Sequence, residues 1–288
     1  MTHAAIWVQA VRPRTLIASL SPAILASSYA YTHGTLNIAI LLLTLLTALS
    51  IQIMINLSND YFDFIKGADT EKRKGPQRVT QAGLVSHASI KKAIFISALL
   101  ASICAAPLIY TASWPIALFF ILYMVLGIGY TAGPYPLAYL GLGDICVLIL
   151  FGPIATAITY YLQTHTLSPE VLMGGCSVGL ISSAILMANN LRDEEEDRAA
   201  HKKTLVVRCG SKRGRFIYAI ELLLALVIPL FQGIFFPLLL TPCAYLLIKQ
   251  AMLGKYDHVL LQRTGAFLLL YTLVYTADIL FSPYIHSR

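Results

Sequence analysis

Long apolar runs broken by short polar stretches set the pattern of this chain. Nine runs read as helices, at roughly 14–33, 37–58, 90–110, 114–132, 143–163, 170–191, 214–231, 233–250 and 263–282. A helix of ~20 residues crosses the ~30 Å hydrocarbon core of a bilayer. No Asp, Glu, Lys or Arg lies between Arg14 and Asp60, or between Lys92 and Asp144, and each gap holds two such spans. Turns rich in Gly, Pro or Ser separate several runs: His33-Gly34, Ser113-Trp114-Pro115 and Gln232-Gly233. Pro22, Pro107 and Pro153 fall inside spans, where neighbouring helices re-satisfy the freed carbonyls. The pattern predicts an all-α, polytopic integral membrane protein of about nine transmembrane helices, with residues 1–288 forming a single membrane-embedded domain.

Composition agrees: 57% of residues are hydrophobic and 12% charged, outside the range of soluble domains. Charge placement adds an orientation. With nine spans, the N-terminus and the loops after spans 2, 4, 6 and 8 share one side, which carries every Lys and Arg except Arg288. By the positive-inside rule that side is cytoplasmic. The net charge of +7 therefore reflects topology and implies no nucleic-acid partner. Cys104, Cys146, Cys176, Cys209 and Cys243 have neither metal nor redox spacing and read as small core residues. No cleavable signal is evident ahead of the first span.

Two polar clusters interrupt the apolar pattern. The first is Asn56-x-x-Asn59-Asp60-x-x-Asp63, continuing to Lys66 and Asp69, and the second is Asn189-Asn190-x-Arg192-Asp193-x-x-x-Asp197. On a helix each set shares one face. Both lie at the same bilayer surface, 133 residues and four spans apart (Asp60 to Asp193), which hints at two similar halves. Carboxylates at a membrane surface are costly and mark a site by default, whereas the run Glu194-Glu195-Glu196 reads as a solvated face. Carboxylate and amide oxygens suit Mg²⁺, which takes one or two protein carboxylates together with phosphate oxygens. Lys66, Arg78, Arg192 and Lys202 would meet the remaining phosphate charge. The chemistry is that of a diphosphate held at the mouth of an apolar cavity, and such a substrate carries a long hydrocarbon tail.

The remaining candidates are weaker. The seven histidines form no ligand cluster, Gly127-x-Gly129 lacks the setting of a dinucleotide site, and Gly174-Gly175 reads as a close helix approach. Asp278, deep in the ninth span, has no partner in the pattern.

In these residues the chain resembles the UbiA-type membrane prenyltransferases, closest to the branch that prenylates 1,4-dihydroxy-2-naphthoate in menaquinone synthesis. The matching segments are Arg12-Pro-Arg-Thr15, Asn56–Asp63, Gly67-Ala-Asp-Thr70, Gly75-Pro-Gln-Arg78 with Gln81 and Gly83, Tyr130-Thr131, Tyr139–Asp144, Asn189–Asp193 with Asp197, and Lys203–Gly210. Asn190 stands where the wider group usually has Asp, as in the naphthoate branch. The loop Ala132-Gly-Pro-Tyr-Pro136 lacks the cation found there in relatives.

The resemblance implies a central cavity and Mg²⁺-dependent transfer of a polyprenyl group from an allylic polyprenyl diphosphate to 1,4-dihydroxy-2-naphthoate, with loss of CO₂ and pyrophosphate, in a bacterial inner membrane. Asp60, Asp63, Asp193 and Asp197 would be metal–diphosphate ligands. Asn56, Asn59, Asn189 and Asn190 would complete that shell, and Lys66, Arg78, Arg192 and Lys202 would contact diphosphate, with Arg12 a lesser candidate. Tyr130 and Tyr139 have two readings, as cation-stabilising faces or as packing. Asp144 lines the acceptor site or stabilises a helix N-terminus, and Asp69 is a third ligand or a turn residue. Alternatives are another aromatic acceptor such as 4-hydroxybenzoate or homogentisate and, more remotely, a cation-coupled transporter.

Overall fold

The computed structural model describes residues 2–68, 75 and 77–281, and among them every regular element is helical. Each expected span falls on helix. Among the described residues, six segments are long and apolar enough to cross a membrane: Ile38–Ile65, His87–Ala112, Gly143–Thr164, Pro169–Arg192, Ser211–Gln232 and His258–Phe281. Trp114–Gly129 and Phe236–Met252 are shorter apolar helices, and Pro13–Thr32 has 20 residues.

In chain order the helices are α1 (His3–Val11), α2 (Pro13–Thr32), α3 (Ile38–Ile65), α4 (His87–Ala112), α5 (Trp114–Gly129), α6 (Leu137–Leu140), α7 (Gly143–Ile149), α8 (Ala155–Thr164), α9 (Pro169–Arg192), α10 (Glu194–Ala199), α11 (Leu205–Cys209), α12 (Ser211–Val227), α13 (Thr241–Met252) and α14 (His258–Phe281). Their starts follow ordinary capping chemistry. The Asn37 side chain accepts from the N–H groups of Ala39 and Ile40, and Ser86 and Ser168 do the same for α4 and α9.

Two spans differ in detail from the expected helices. The fifth is split: α7 and α8 are joined through Leu150–Ile154, a wider helical turn in which Gly152 leaves helical geometry before Pro153. Proline removes one backbone donor and clashes with the carbonyl four residues back, so the break sits where the sequence puts it. The eighth span opens with a 3₁₀ turn over Phe236–Leu240, and α13 starts only at Thr241-Pro242 for the same reason. The Asp278 partner is here: its Oδ2 accepts from the N–H groups of Phe235 and Phe236, both at 2.5 Å, and so caps this turn from α14.

The main core lies between α2, α9, α12 and α14. Smaller clusters close the two ends of the other half, with Leu57, Tyr61, Val79 and Ile90 at one and Leu108, Ala112, Ile116 and Leu162 at the other. Helix α9 reaches the kinked span closely enough that Gly175 and Gly179 meet it backbone to backbone. A methyl group on Gly179 would run into the Leu148 carbonyl, and one on Gly175 would come 2.8 Å from Pro153 Cα.

Gly179→Ala should therefore force α9 away from the kink, costing about 1–3 kcal/mol as overpacking does. A lowered thermal midpoint of the detergent-purified protein would register it, with Gly129→Ala, which meets nothing within 4 Å, as the matched control.

Candidate active site

Helix α3 runs on past the expected end of its span, so the first cluster occupies its last turns. Asn56, Asn59 and Asp63, spaced i, i+3 and i+7, line one chamber. Asp60, about 100° on from Asn59 around the helix, points elsewhere. Its two carboxylate oxygens accept from the backbone N–H groups of Val79 and Thr80, at 3.3 and 3.1 Å, which fixes the loop that presents Arg78 to the chamber.

The second cluster does not keep to one helix. Helix α9 ends at Arg192, the chain turns at Asp193, and α10 begins at Glu194. Asn189, Asn190, Asp193 and Asp197 still line the same chamber as the first cluster, joined by Glu196. Glu196 escapes a reading of the sequence because it sits in a run of three glutamates. The usable signal was spacing, since Asp193, Glu196 and Asp197 follow i, i+3 and i+4.

The first cluster is tied to the segment that follows the second. Lys202 Nζ lies 3.2 Å from Asp63 Oδ2, and the Tyr139 hydroxyl donates to Asp63 Oδ1 at 3.2 Å. Lys202 and Lys66 both sit near the Tyr139 ring, with their ammonium nitrogens 5.1 and 4.9 Å from its centroid. That ring therefore serves protein cations and does not line the chamber. Lys66 also donates to the Gly133 carbonyl at 3.0 Å, bringing a cation to the loop that lacks one of its own. Although Lys66 is exposed as a whole, lost hydration of its ammonium lowers its pKa; Asp63 opposes that shift and Lys202 adds to it.

Tyr139 is held by its loop. Its carbonyl accepts from Lys203 N–H, the Arg208 guanidinium donates to the Leu140 carbonyl at 2.6 Å, and Gly141 takes a positive φ where a Cβ would strike the Lys203 carbonyl.

The other expected residues surround the chamber without all lining it. The Asn56 amide donates to the Val11 carbonyl (2.7 Å) and to Thr15 Oγ1 (2.8 Å), clamping the joint between α1 and α2 where Arg12 has φ 55°. The Thr131 hydroxyl donates to Asn59 Oδ1 at 2.9 Å. Arg192 grips Asp193 with two bonds of 2.5 and 2.6 Å and donates to Asn189 at 2.7 Å, so it orients lining residues without joining them. Asp144, in the first turn of α7, accepts from the Asn190 amide at 3.4 Å from behind the chamber wall. Tyr130, Lys202 and Arg12 do line it. Asp69 lies outside the described residues. Among those described, no three Asp, Glu, His or Cys side chains stand close enough together to hold a metal ion by themselves.

The arrangement is an oxygen-rich, partly cationic pocket whose deeper wall is apolar (Ile55, Leu126, Leu150 and Phe151). It suits an anionic head that brings its own cation, with a greasy remainder.

Comparisons with known proteins agree. The sequence profile of the UbiA prenyltransferase family matches residues 19–268. The chain is 35% identical to 1,4-dihydroxy-2-naphthoate octaprenyltransferase of Escherichia coli (strain K12), over 96% of each chain. It is 31% identical to human UbiA prenyltransferase domain-containing protein 1, over 96% of this chain and 84% of that one. Among solved structures, a UbiA homologue from Archaeoglobus fulgidus bound to GPP and Mg²⁺ superposes with a TM-score of 0.65 at 14% identity, covering 95% of this chain and 99% of that one. A UbiA homologue from Aeropyrum pernix K1 gives 0.69 at 14% identity, covering 92% and 96%. At that identity the likeness speaks for the fold.

Because Asp60 serves two buried backbone donors, Asp60→Ala should cost about 1–3 kcal/mol through their loss of an acceptor, and Asp60→Asn, which keeps one, should cost less. Thermal midpoints of the two purified variants test the order.

Proposed function

The chain belongs to the UbiA prenyltransferase family and is an integral membrane protein, and from that premise we propose that it transfers a polyprenyl group from an allylic polyprenyl diphosphate to 1,4-dihydroxy-2-naphthoate. The carrying observation is one chamber lined from two distant clusters by Asn56, Asn59 and Asp63 on one side and Asn189, Asn190, Asp193 and Asp197 on the other, with Arg78 and Lys202 between. The named naphthoate octaprenyltransferases among its relatives, at 31–37% identity, support the choice of acceptor. Positive-inside charge supports an active-site mouth facing the cytoplasm, and the bacterial relatives support an inner-membrane location.

The donor set fits Mg²⁺. The chamber offers carboxylates in ones and twos with amide oxygens around them, and this ion takes few protein carboxylates when phosphate oxygens supply the rest. Asp63 on one side of the chamber, and one or two of Asp193, Glu196 and Asp197 on the other, would hold it together with phosphate oxygens. When bound, Mg²⁺ supplies positive charge that stabilises the departing pyrophosphate.

Arg78 and Lys202 bind the remaining diphosphate charge, Arg78 through its planar fork and Lys202 as a point charge. As the diphosphate enters, Lys202 exchanges Asp63 for phosphate oxygens, and Asp63 becomes available to the accompanying cation. Arg192 keeps Asp193 and Asn189 in their lining positions, Asp60 keeps the Arg78 loop in place, and Tyr139 orients Asp63 and both lysines. The allylic C–O bond breaks with its electron pair going to pyrophosphate. The naphthalene carbon bearing the carboxylate attacks C1 of the allylic cation; the bond from that carbon to the carboxylate then breaks, its electron pair returns to the ring and restores the aromatic diol, and CO₂ leaves. Apolar walls and Tyr130 exclude the water that would quench the cation.

Membranes containing the protein, supplied with a polyprenyl diphosphate and Mg²⁺, should prenylate 1,4-dihydroxy-2-naphthoate in preference to 4-hydroxybenzoate or homogentisate, with product mass showing loss of CO₂. An inert naphthoate beside a prenylated benzoate would overturn the reading. Chelation with EDTA should abolish turnover, and added Mg²⁺ should restore it.

Asp63→Asn and Asp193→Asn should each lower kcat by roughly 10²-fold or more, the scale on which removing one electrostatic group acts. Asp63→Asn should also raise the Mg²⁺ concentration needed for half-maximal rate, while Asp60→Asn should leave that concentration unchanged. Equal metal dependence in the two would return Asp60 to the ligand set.

A further inference from the structure

Arg192 and Asp144 do not line the chamber, yet each holds one of two neighbouring amides that do. Asn189 and Asn190 lie side by side in the last turn of α9. The Arg192 guanidinium donates to Asn189 Oδ1 at 2.7 Å. Asn190 Nδ2 donates to Oδ1 of Asp144 at 3.4 Å, and that carboxylate is buried in the first turn of α7.

A side-chain amide has a donor end and an acceptor end, and its direction follows from what its partner can do. A guanidinium only donates, so it takes an oxygen. An ionised carboxylate only accepts, so it takes the nitrogen. Asn189 therefore turns its oxygen to Arg192 and keeps its NH₂ group for the chamber, whereas Asn190 turns its nitrogen to Asp144 and keeps its oxygen. The amides of α3 are set differently. Asn56 spends its nitrogen on the Val11 carbonyl and Thr15, and its oxygen accepts from the Gln52 amide at 3.2 Å. Asn59 Oδ1 accepts from the Thr131 hydroxyl, a group that can also accept and so fixes no direction.

Building on the reaction proposed above, we infer that Arg192 and Asp144 are positioning residues that set two adjacent amides in opposite senses. Asn189 then offers N–H to diphosphate oxygens, and Asn190 offers its carbonyl oxygen to the accompanying cation. Accepting from the nitrogen end, Asp144 also pushes electron density toward that oxygen, as outer partners of metal ligands do. A carboxylate in a first turn equally suits the N–H groups that open the helix, and the two roles part under test.

The probe is farnesyl thiolodiphosphate, in which sulfur replaces the oxygen of the breaking bond. Its binding to detergent-purified protein is measured by calorimetry across Mg²⁺ concentrations. Asp144→Leu should raise the Mg²⁺ concentration for half-maximal binding roughly tenfold, the scale of losing an outer partner, and saturating Mg²⁺ should recover wild-type affinity. Asn189→Asp keeps the Arg192 bond but meets the diphosphate with oxygen. It should weaken binding roughly tenfold or more even at saturating Mg²⁺, as loss of a hydrogen bond to a charged group does. An exchanged pair keeps the test open where Asp144→Leu fails to fold. Asn190→Asp sets two carboxylates against each other and should bind poorly. Adding Asp144→Asn, whose amide nitrogen can serve the new carboxylate, should bring binding back toward wild type. A role confined to the helix start would make that double variant worse than the single one. An unchanged Mg²⁺ requirement in Asp144→Leu, or no rescue of Asn190→Asp by Asp144→Asn, would overturn the inference. The expected binding shifts in a protein that prenylates no aromatic acceptor would sink the reaction and leave the two positioning roles standing.

Discussion

Every polar group sunk into an apolar bundle needs a partner, because water is not there to serve. That constraint explains more of this structure than any single contact. Asp63 is served by Lys202 and Tyr139, Asp193 by Arg192, Asp60 by two backbone N–H groups, and Asp278 by two more. Glu221, buried in α12, is served on one oxygen only: Oε1 accepts from the Ser183 hydroxyl at 2.6 Å, while Oε2 has no hydrogen-bond partner. The chamber is thus held by compensating charges before any substrate arrives. On the proposed reading, an entering diphosphate with its cation would exchange partners with Lys202 and Asp63 and need not create a new buried charge. Such an exchange is favourable where bringing in an unpaired charge would not be.

The same pairings set the course of the chain. Asn56 joins α3 to the α1–α2 joint, where Arg12 adopts a conformation that few non-glycine residues take. Arg208 and the Lys203 N–H hold the 137–142 loop against the segment after α10, and this sets Tyr139 over Asp63. Residues that touch no substrate therefore decide where the lining carboxylates point.

The sequence was most legible where period and charge agree. The apolar runs, the two clusters and their shared surface follow from spacing alone, and ten of the fifteen expected site residues line one chamber. What it concealed was rotation and partnership. Asp60 and Asp63 are equivalent in a pattern of threes and fours, yet the Val79–Thr80 loop claims one of them. The break at Asp193 was hidden because Arg192 and Asp193 read as independent charges until the guanidinium is seen folded onto its neighbour. Glu196 was lost in a charged run, and Asp278 found its partner in a turn 42 residues away in sequence. These are long-range facts, and local pattern does not contain them.

The kinked span joins the polar site to the helix packing around it. Pro153 denies the helix a donor and Gly152 gives it a bend, so α9 can approach through Gly175 and Gly179 while Leu150 turns its carbonyl toward Tyr123. A straight fifth span would leave the Leu150 carbonyl in the helix ladder and Tyr123 without that acceptor. With the bend, Leu150 and Phe151 form part of the apolar wall of the chamber that Asp63, Asp193 and Asp197 line elsewhere. A reaction that ionises a C–O bond needs charge on one side of the breaking bond and no water on the other. Leu150 and Phe151, in the kinked span, supply part of the apolar side.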